Sequence, residues 1–305
     1  MSARVLITGG AGCLGSNLIE HWLPLGHQIH VIDNFATGKR DVVPPVDGLT
    51  LTEGSVADAA LVDRVFASVR PDVVVHSAAA YKDPNDWHED VRTNVVGSIN
   101  VARAAAASSV KRVINFQTAL CYGRPDRVPI PVSHPVRPFT SYGISKTAGE
   151  QYLLGSSVPV VSFRIANVTG PRLAIGPIPT FYKRLKAGQS CFCSDTIRDF
   201  LALMDLAIRD DSPAGVFNVS TGEGYSIKDV FDVVAGYLQI EPAPPPIVPV
   251  GADDVRAVVL DPAETEGAFG WRAKVPFVET IHRQLQWYDR HGVNDIYSHL
   301  AAPRP

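Results

Sequence analysis

The chain has 305 residues, 46% of them hydrophobic and 19% charged, enough to bury a full core as one large α/β unit or as two closely joined lobes. A formal net charge of -3 and the lack of any Lys/Arg-rich block exclude the electrostatic footprint of a nucleic-acid or anionic-membrane binder, which leaves a small molecule as the expected partner. Four cysteines make no disulfide framework in a chain this long, and Cys191-Phe192-Cys193 has no His partners at zinc spacing, so all four read as free thiols.

The chain passes from Met1 through Arg4 into Val5-Leu6-Ile7 without a charged leader or cleavage site, and no apolar run approaches transmembrane length. A cytoplasmic protein is expected. Short β-branched runs then alternate with longer helical patterns. The strands are predicted at Arg4 to Thr8, Gln28 to Ile32, Thr50 to Glu53, Asp72 to Val75, Arg112 to Phe116 and Pro159 to Phe163. Between them Ala, Leu and Val recur at three- and four-residue spacing, most clearly from Val91 to Ala106. This predicts βαβ units and a doubly wound, Rossmann-type α/β fold built on a parallel sheet. The first 167 residues form the dinucleotide-binding domain in this reading, with residues 197–222 returning to it. Residues 168–196 and 223–305 form a smaller, loop-rich substrate lobe, marked by Gly170-Pro171, Gly176-Pro177 and five prolines between Pro242 and Pro249. Trp271 and Trp287 are expected to pack that lobe.

Thr8-Gly9-Gly10-Ala11-Gly12-Cys13-Leu14-Gly15 follows the first strand and opens a helix, so its glycines permit a tight turn and close approach to a pyrophosphate at the helix N-terminus. The second strand runs into Asp33, where a carboxylate at an exposed strand end can accept both ribose hydroxyls of NAD and repel the extra phosphate of NADP. Lys39-Arg40 could reach such a phosphate but reads as a solvated turn. Asp58 after the third strand is either an adenine contact or the N-cap of the next helix.

Tyr142-Gly143-Ile144-Ser145-Lys146 places a phenol and an ammonium on one helix face, an arrangement in which the ammonium draws the phenol toward the range of a working base. Thr118 brings a hydroxyl just past a strand's carboxyl end, where ligands of doubly wound sheets bind. His76, His88, His282, His291 and His299 show no ligand-like spacing, and no metal is expected.

Taken in order, these residues resemble the extended short-chain dehydrogenase/reductase family, in its nucleotide-sugar epimerase and dehydratase branch. The markers are Thr8 to Gly15, Asp33-Asn34, His76-Ser77-Ala78-Ala79, Asn94 with Gly97, Thr118 to Gly123, Tyr142 to Lys146, Asn167 with Gly170-Pro171-Arg172, Arg198-Asp199-Phe200, Phe217-Asn218-Val219 with Gly222, and Gly270-Trp271. The resemblance implies an NAD cofactor held by Gly9, Gly12, Cys13, Leu14 and Gly15, by Asp33 and Asn34, and by Val56 and Asp58. Ala78, Ala79, Asn94, Tyr142 and Lys146 complete that set. It implies that Thr118 bonds the reacting sugar hydroxyl, Tyr142 moves its proton, and Lys146 also holds the nicotinamide ribose. Tyr81 and Lys82 would face the sugar, Asn167 the diphosphate and Arg198 the nucleotide. A UDP-linked sugar is the expected substrate, and a homodimer is expected to pair the helices around Val91 to Ala106 and Tyr142 to Leu154.

Three departures bear on the reaction. Ala119-Leu120 stands where dehydratases carry acids, so loss of water has no evident proton donor. The Arg-Pro-Gly-Asp segment of relatives is replaced by Val250 to Asp254, with Arg256 a doubtful substitute, and the stretch from Leu201 to Val216 is short. C4 epimerisation through a 4-keto sugar is the leading reading; a 4-keto reductase or dehydratase is the alternative. From a different class comes a non-catalytic NAD-sensing regulator, which has no need of the Tyr and Lys.

Overall fold

The computed structural model describes residues 2–81, 83–174, 176–186, 198–242, 255 and 257–293. Seven strands form one parallel sheet: β1 (Arg4–Thr8), β2 (Gln28–Asp33), β3 (Leu49–Glu53), β4 (Val73–His76), β5 (Arg112–Thr118), β6 (Val160–Ile165) and β7 (Gly215–Val219). Their order is β3-β2-β1-β4-β5-β6-β7. The reversal of winding between β1 and β4 opens a crevice at the carboxyl ends of the strands.

The central strands β1 and β4 are almost wholly apolar because helices cover both faces. Along β1, Val5 and Ile7 enter one apolar cluster and Leu6 the other, and all three are wholly buried. β4 repeats the split with Val73 and Val75 against Val74. On the first face lie α1 (Cys13–Trp22) and α7 (Arg198–Ala207); on the second lie α2 (Ala59–Val69), α4 (Gly97–Ala107) and α5 (Ser141–Leu154). β7 joins β6 in parallel, so the chain returns to the sheet after the excursion that contains α6 (Pro177–Lys186).

The helical run expected from Val91 begins earlier and is not uniform. α3 (Trp87–Asp90) passes through a π-helical segment, Val91–Val96, into α4. The wider turn lies at Asn94, whose side chain bonds out of the helix, in keeping with the habit of π segments to mark functional positions. A third apolar cluster is built by α6, α8 (Ile227–Leu238) and α10 (Phe277–His291), around Phe181, Phe231 and Leu285. Trp287 packs there as expected, but Trp271 does not: it joins the sheet-side cluster, beyond α9 (Ala263–Phe269), where Phe269 meets Phe163 and Phe217. Among the described residues, no helix is long and apolar enough to cross a membrane.

A polar seam runs through this otherwise apolar sheet. Glu150 of α5 and Arg164 of β6 form an ion pair of 2.8 Å with side chains 0% and 6% exposed. Ser162 donates to the Glu150 carboxylate, Arg164 also donates to the Tyr122 hydroxyl, and that hydroxyl donates to Asn218 of β7. Every partner in the chain is buried. Arg164→Met should therefore leave a buried carboxylate uncompensated and cost about 3–5 kcal/mol, whereas the double change Arg164→Met with Glu150→Leu should cost much less than the sum of its parts. Urea unfolding of the cofactor-free single and double variants checks this; an unchanged midpoint for the single variant would remove the pair from the account of α5's placement.

Candidate active site

The turn after β1 is built to admit a diphosphate. Gly9 sits at φ +68°, and a Cβ there would come within 2.7 Å of the Ala78 backbone, so the turn needs glycine for both its conformation and its closeness to the loop after β4. Gly12 precedes α1 without any side-chain cap, which leaves the first-turn amides of Cys13, Leu14 and Gly15 with no protein side chain to satisfy them. Burial pushes the Cys13 thiol up to about 12, so it stays a thiol and lies 3.5 Å from the Pro171 carbonyl as a donor. Asn17 reaches the same carbonyl at 3.1 Å, pinning the loop after β6 to α1.

Asp33 is not at an exposed strand end. It is 7% exposed, and its two carboxylate oxygens each accept one backbone amide at 2.8 Å, from Ala11 in the turn and from Phe35. Burial raises its pKa against these two bonds. The carboxylate thus ties the turn to β2. Asn34 is exposed and accepts from the Ala36 amide. Arg40 is paired with Glu53 and lies over the Phe35 ring at 4.4 Å, more engaged than a solvated turn residue. Asp58 caps α2 by accepting from Leu61 at 3.0 Å, the second of its two expected roles.

Val56 is buried, and its carbonyl accepts from Asn100. Ala78 and Ala79 are half-buried in the loop after β4, where the Ala78 amide meets Thr8 Oγ1 at 3.3 Å. Asn94, 1% exposed, exchanges two hydrogen bonds with the Ala80 backbone and donates to Ser145 at 3.0 Å. Both its amide hydrogens are spent within the protein, so it clamps the loop after β4 onto α5.

α5 starts with Thr140 accepting from Gly143, which sets Tyr142 and Lys146 one turn apart on the helix. Lys146 is 4% exposed, and among the described residues its ammonium has no hydrogen-bonded or ion-paired partner. Burial lowers its pKa to about 8, with Glu150 opposing. The half-buried Tyr142 is pushed well above the usual phenol range, first by desolvation and then by the charge of Asp90. Asp90, 2% exposed, accepts from Ser141 at 2.6 Å and is itself raised by burial. In the ligand-free protein, then, surroundings hold the phenol protonated rather than drawing it down. Thr118 ends β5, and its Oγ1 accepts from Leu120 at 3.2 Å, which leaves the hydroxyl hydrogen free to donate. The Tyr81 ring meets Tyr142 edge-on at 6.1 Å.

Asn167 is exposed, two residues beyond β6. Lys82, Cys191, Cys193, Val250 to Asp254 and Arg256 lie outside the described residues, as does the side chain of Arg198 at the head of α7. From α7 the chain reaches β7 directly, with no intervening strand among the described residues. Sequence reasoning passed over Gln117, Glu150, Arg164 and Asp90. For Gln117 and Arg164 the available signal was a polar residue inside strands otherwise rich in Val, Ile and Phe, since buried polar groups need partners; Asp90 and Glu150 lie on helices and carried no such sign.

Residues 5–208 match the NAD dependent epimerase/dehydratase family. The chain belongs to this family. The enzyme WbmG of Bordetella bronchiseptica, solved in complex with NAD and UDP, is 68% identical over 99% of this chain and 100% of its own, with a TM-score of 0.93. WbmH of the same organism, solved with NAD+, is 39% identical over 95% of this chain and 100% of its own, with a TM-score of 0.89. The curated UDP-glucose 4-epimerase of Halalkalibacterium halodurans is 29% identical over 94% of this chain and 96% of its own. NAD is accordingly the cofactor, and the residues present fit it: a cradle that a Cβ would fill at Gly9, a helix start with no side-chain cap from Gly12, and a buried ammonium with no partner among the described residues.

Asp33→Ala should do two things at once. Losing a buried acceptor from the Ala11 and Phe35 amides should destabilise the cofactor-free protein by about 1–3 kcal/mol, and losing the carboxylate should narrow the preference for NAD over NADP. Thermal unfolding without cofactor and calorimetric titration with each dinucleotide separate the two effects; an unchanged melting temperature would return Asp33 to a purely ligand-facing role.

Proposed function

We propose that this protein is an NAD-dependent nucleotide-sugar 4-epimerase acting on a UDP-linked hexose or N-acetylhexosamine derivative through a transient 4-keto sugar. The observation that carries the reading is the buried Lys146 ammonium, without a partner among the described residues, one helical turn from Tyr142, together with the Thr118 hydroxyl at the end of β5, whose hydrogen is free to donate. Bound NAD supplies the hydride acceptor and donor. Tyr142 takes the proton from the C4 hydroxyl and returns it after the ring presents its other face, Thr118 donates to the same sugar oxygen, and Lys146 holds the nicotinamide ribose while its charge favours the phenolate. The turn from Gly9 to Gly15, with Val56, Asp58, Ala78 and Ala79, lines the dinucleotide, and Asp33 meets the adenine ribose. Tyr81 and Lys82 face the sugar, Asn167 the diphosphate and Arg198 the nucleotide.

The absence of an acid at Ala119-Leu120 favours epimerisation over dehydration. Asp33 favours a tightly kept NAD over the exchangeable NADP of reductases. The same proposal divides the chain into an NAD-binding unit, 1–167 with 197–222, and a sugar-binding lobe. It also pairs two copies through the apolar side chains exposed on α3, the π segment and α5: Trp87 (66%), Val91 (49%), Ile144 (52%) and Tyr152 (54%). The free thiols of Cys13 and Cys121 suit a reducing compartment, which supports a cytoplasmic location.

Incubation with UDP-glucose, UDP-GlcNAc and their uronic acids, followed by separation of the nucleotide-sugar products, tests the reaction: inversion at C4 is expected, and loss of water or consumption of added reduced cofactor would overturn it. Tyr142→Phe should keep the fold and NAD but lower turnover at least ~10²-fold. Lys146→Met should weaken NAD as well as turnover, and Thr118→Val should slow turnover with NAD retained. Near-normal turnover in Tyr142→Phe would mean that another group moves the proton.

A further inference from the structure

Gln117 lies at the end of β5 immediately before Thr118 and is 2% exposed, opposite the buried Arg164 in the register with β6. A primary amide buried there must satisfy both its ends or cost stability. It does so on the two elements that carry the site. Its Oε1 accepts the backbone amide of Thr118 at 2.7 Å, and its Nε2 donates to the backbone carbonyl of Lys146 at 2.9 Å. No other side-chain hydrogen bond among the described residues links the strand end carrying Thr118 directly to the helical turn carrying Tyr142 and Lys146.

We propose that Gln117 is the positioning residue that sets the distance between the Thr118 hydroxyl and the Tyr142–Lys146 pair, so that both reach one sugar oxygen. The inference rests on the catalytic reading of those three residues. A positioned acid/base loses efficiency steeply when its separation from the reacting proton grows by a fraction of an ångström, because proton transfer needs hydrogen-bond reach. Fixing the strand end and the helix backbone with one rigid amide removes that freedom. Asn94 clamps the other side of the same turn through Ser145, and Glu150 holds the next turn down, so Gln117 completes a set of three ties, of which it alone touches the Thr118 backbone.

The discriminating experiment compares Gln117→Met, Gln117→Glu and Tyr142→Phe, purified with NAD and assayed on UDP-glucose or UDP-GlcNAc, whichever turns over faster. Gln117→Met keeps the volume and removes both bonds; kcat per bound NAD should fall tenfold or more with KM and NAD content within twofold. Gln117→Glu keeps the acceptor for Thr118. It can donate to the Lys146 carbonyl only as the neutral acid, so its kcat relative to the parent should rise as pH falls, a profile that a merely structural residue would not give. If Gln117→Met does not fold, the Gln117→Glu profile decides alone. A kcat per bound NAD within twofold of the parent in Gln117→Met, or a flat relative pH profile in Gln117→Glu, would overturn the proposal. Retained turnover in Tyr142→Phe would instead overturn the catalytic reading beneath it.

Discussion

The buried Glu150–Arg164 pair is the constraint around which the site half of the sheet is organised. Two charges taken out of water are tolerable only when geometry and further hydrogen bonds compensate them, and here Ser162, Tyr122 and Asn218 supply those bonds. The pair therefore dictates where α5 lies over β5 and β6, how the segment after Thr118 turns to bring Tyr122 inward, and how β7 joins the sheet. Gly149 follows from that closeness: a Cβ there would strike the Asn94 carbonyl and the Ser98 side chain. Close packing of helix on helix and ion pair on strand are thus one arrangement.

What the amino-acid sequence discloses of this arrangement depends on whether the cause is local. The parallel sheet was visible because each strand buried on both faces must be a short unbroken apolar run, as at Val5-Leu6-Ile7 and Val73-Val74-Val75. The placement of Thr118 at a strand end and of Tyr142 and Lys146 on one helix face was visible because four-residue spacing and the end of an apolar run are local signals. Trp271 was misassigned to the small lobe because a tryptophan near the chain's end carries no sign of which core it enters; the Gly270 turn after α9 sends it back toward the sheet. The π segment was invisible for a related reason. A helical period read over Val91 to Ala106 averages away one extra residue per turn, and what makes the wide turn useful is the tie of Asn94 to Ala80 and Ser145, far off in sequence.

Asp33 shows the same limit in a functional residue. The motif put a carboxylate at the end of β2, and its exposure was judged from that place at the end of a strand. The turn folds back over it, and the amides of Ala11 and Phe35 close on its oxygens. One side chain then fixes the turn after β1, and in the proposed function it also selects the ribose. A substitution there moves stability and cofactor choice together, and neither effect alone identifies its role.

The electrostatics of Tyr142 and Lys146 carry this logic into the reaction. Spacing alone suggested an ammonium pulling the phenol toward ionisation, yet burial acts on both groups toward their neutral forms, and Asp90 adds a negative charge that works against phenolate. Lys146, lowered to about 8, is still mostly an ammonium at neutral pH, but its charge does not offset the desolvation of the phenol. Only further positive charge or a well-aimed donor can do so. In the proposed reaction the oxidised nicotinamide would bring the first, and the Thr118 hydroxyl, free to donate, would supply the second to the sugar oxygen that shares the proton. In the proposed reaction these surroundings make proton transfer depend on cofactor, sugar and strand end coming together. On that reading the separation between β5 and α5 matters as much as the identity of the residues the two elements carry.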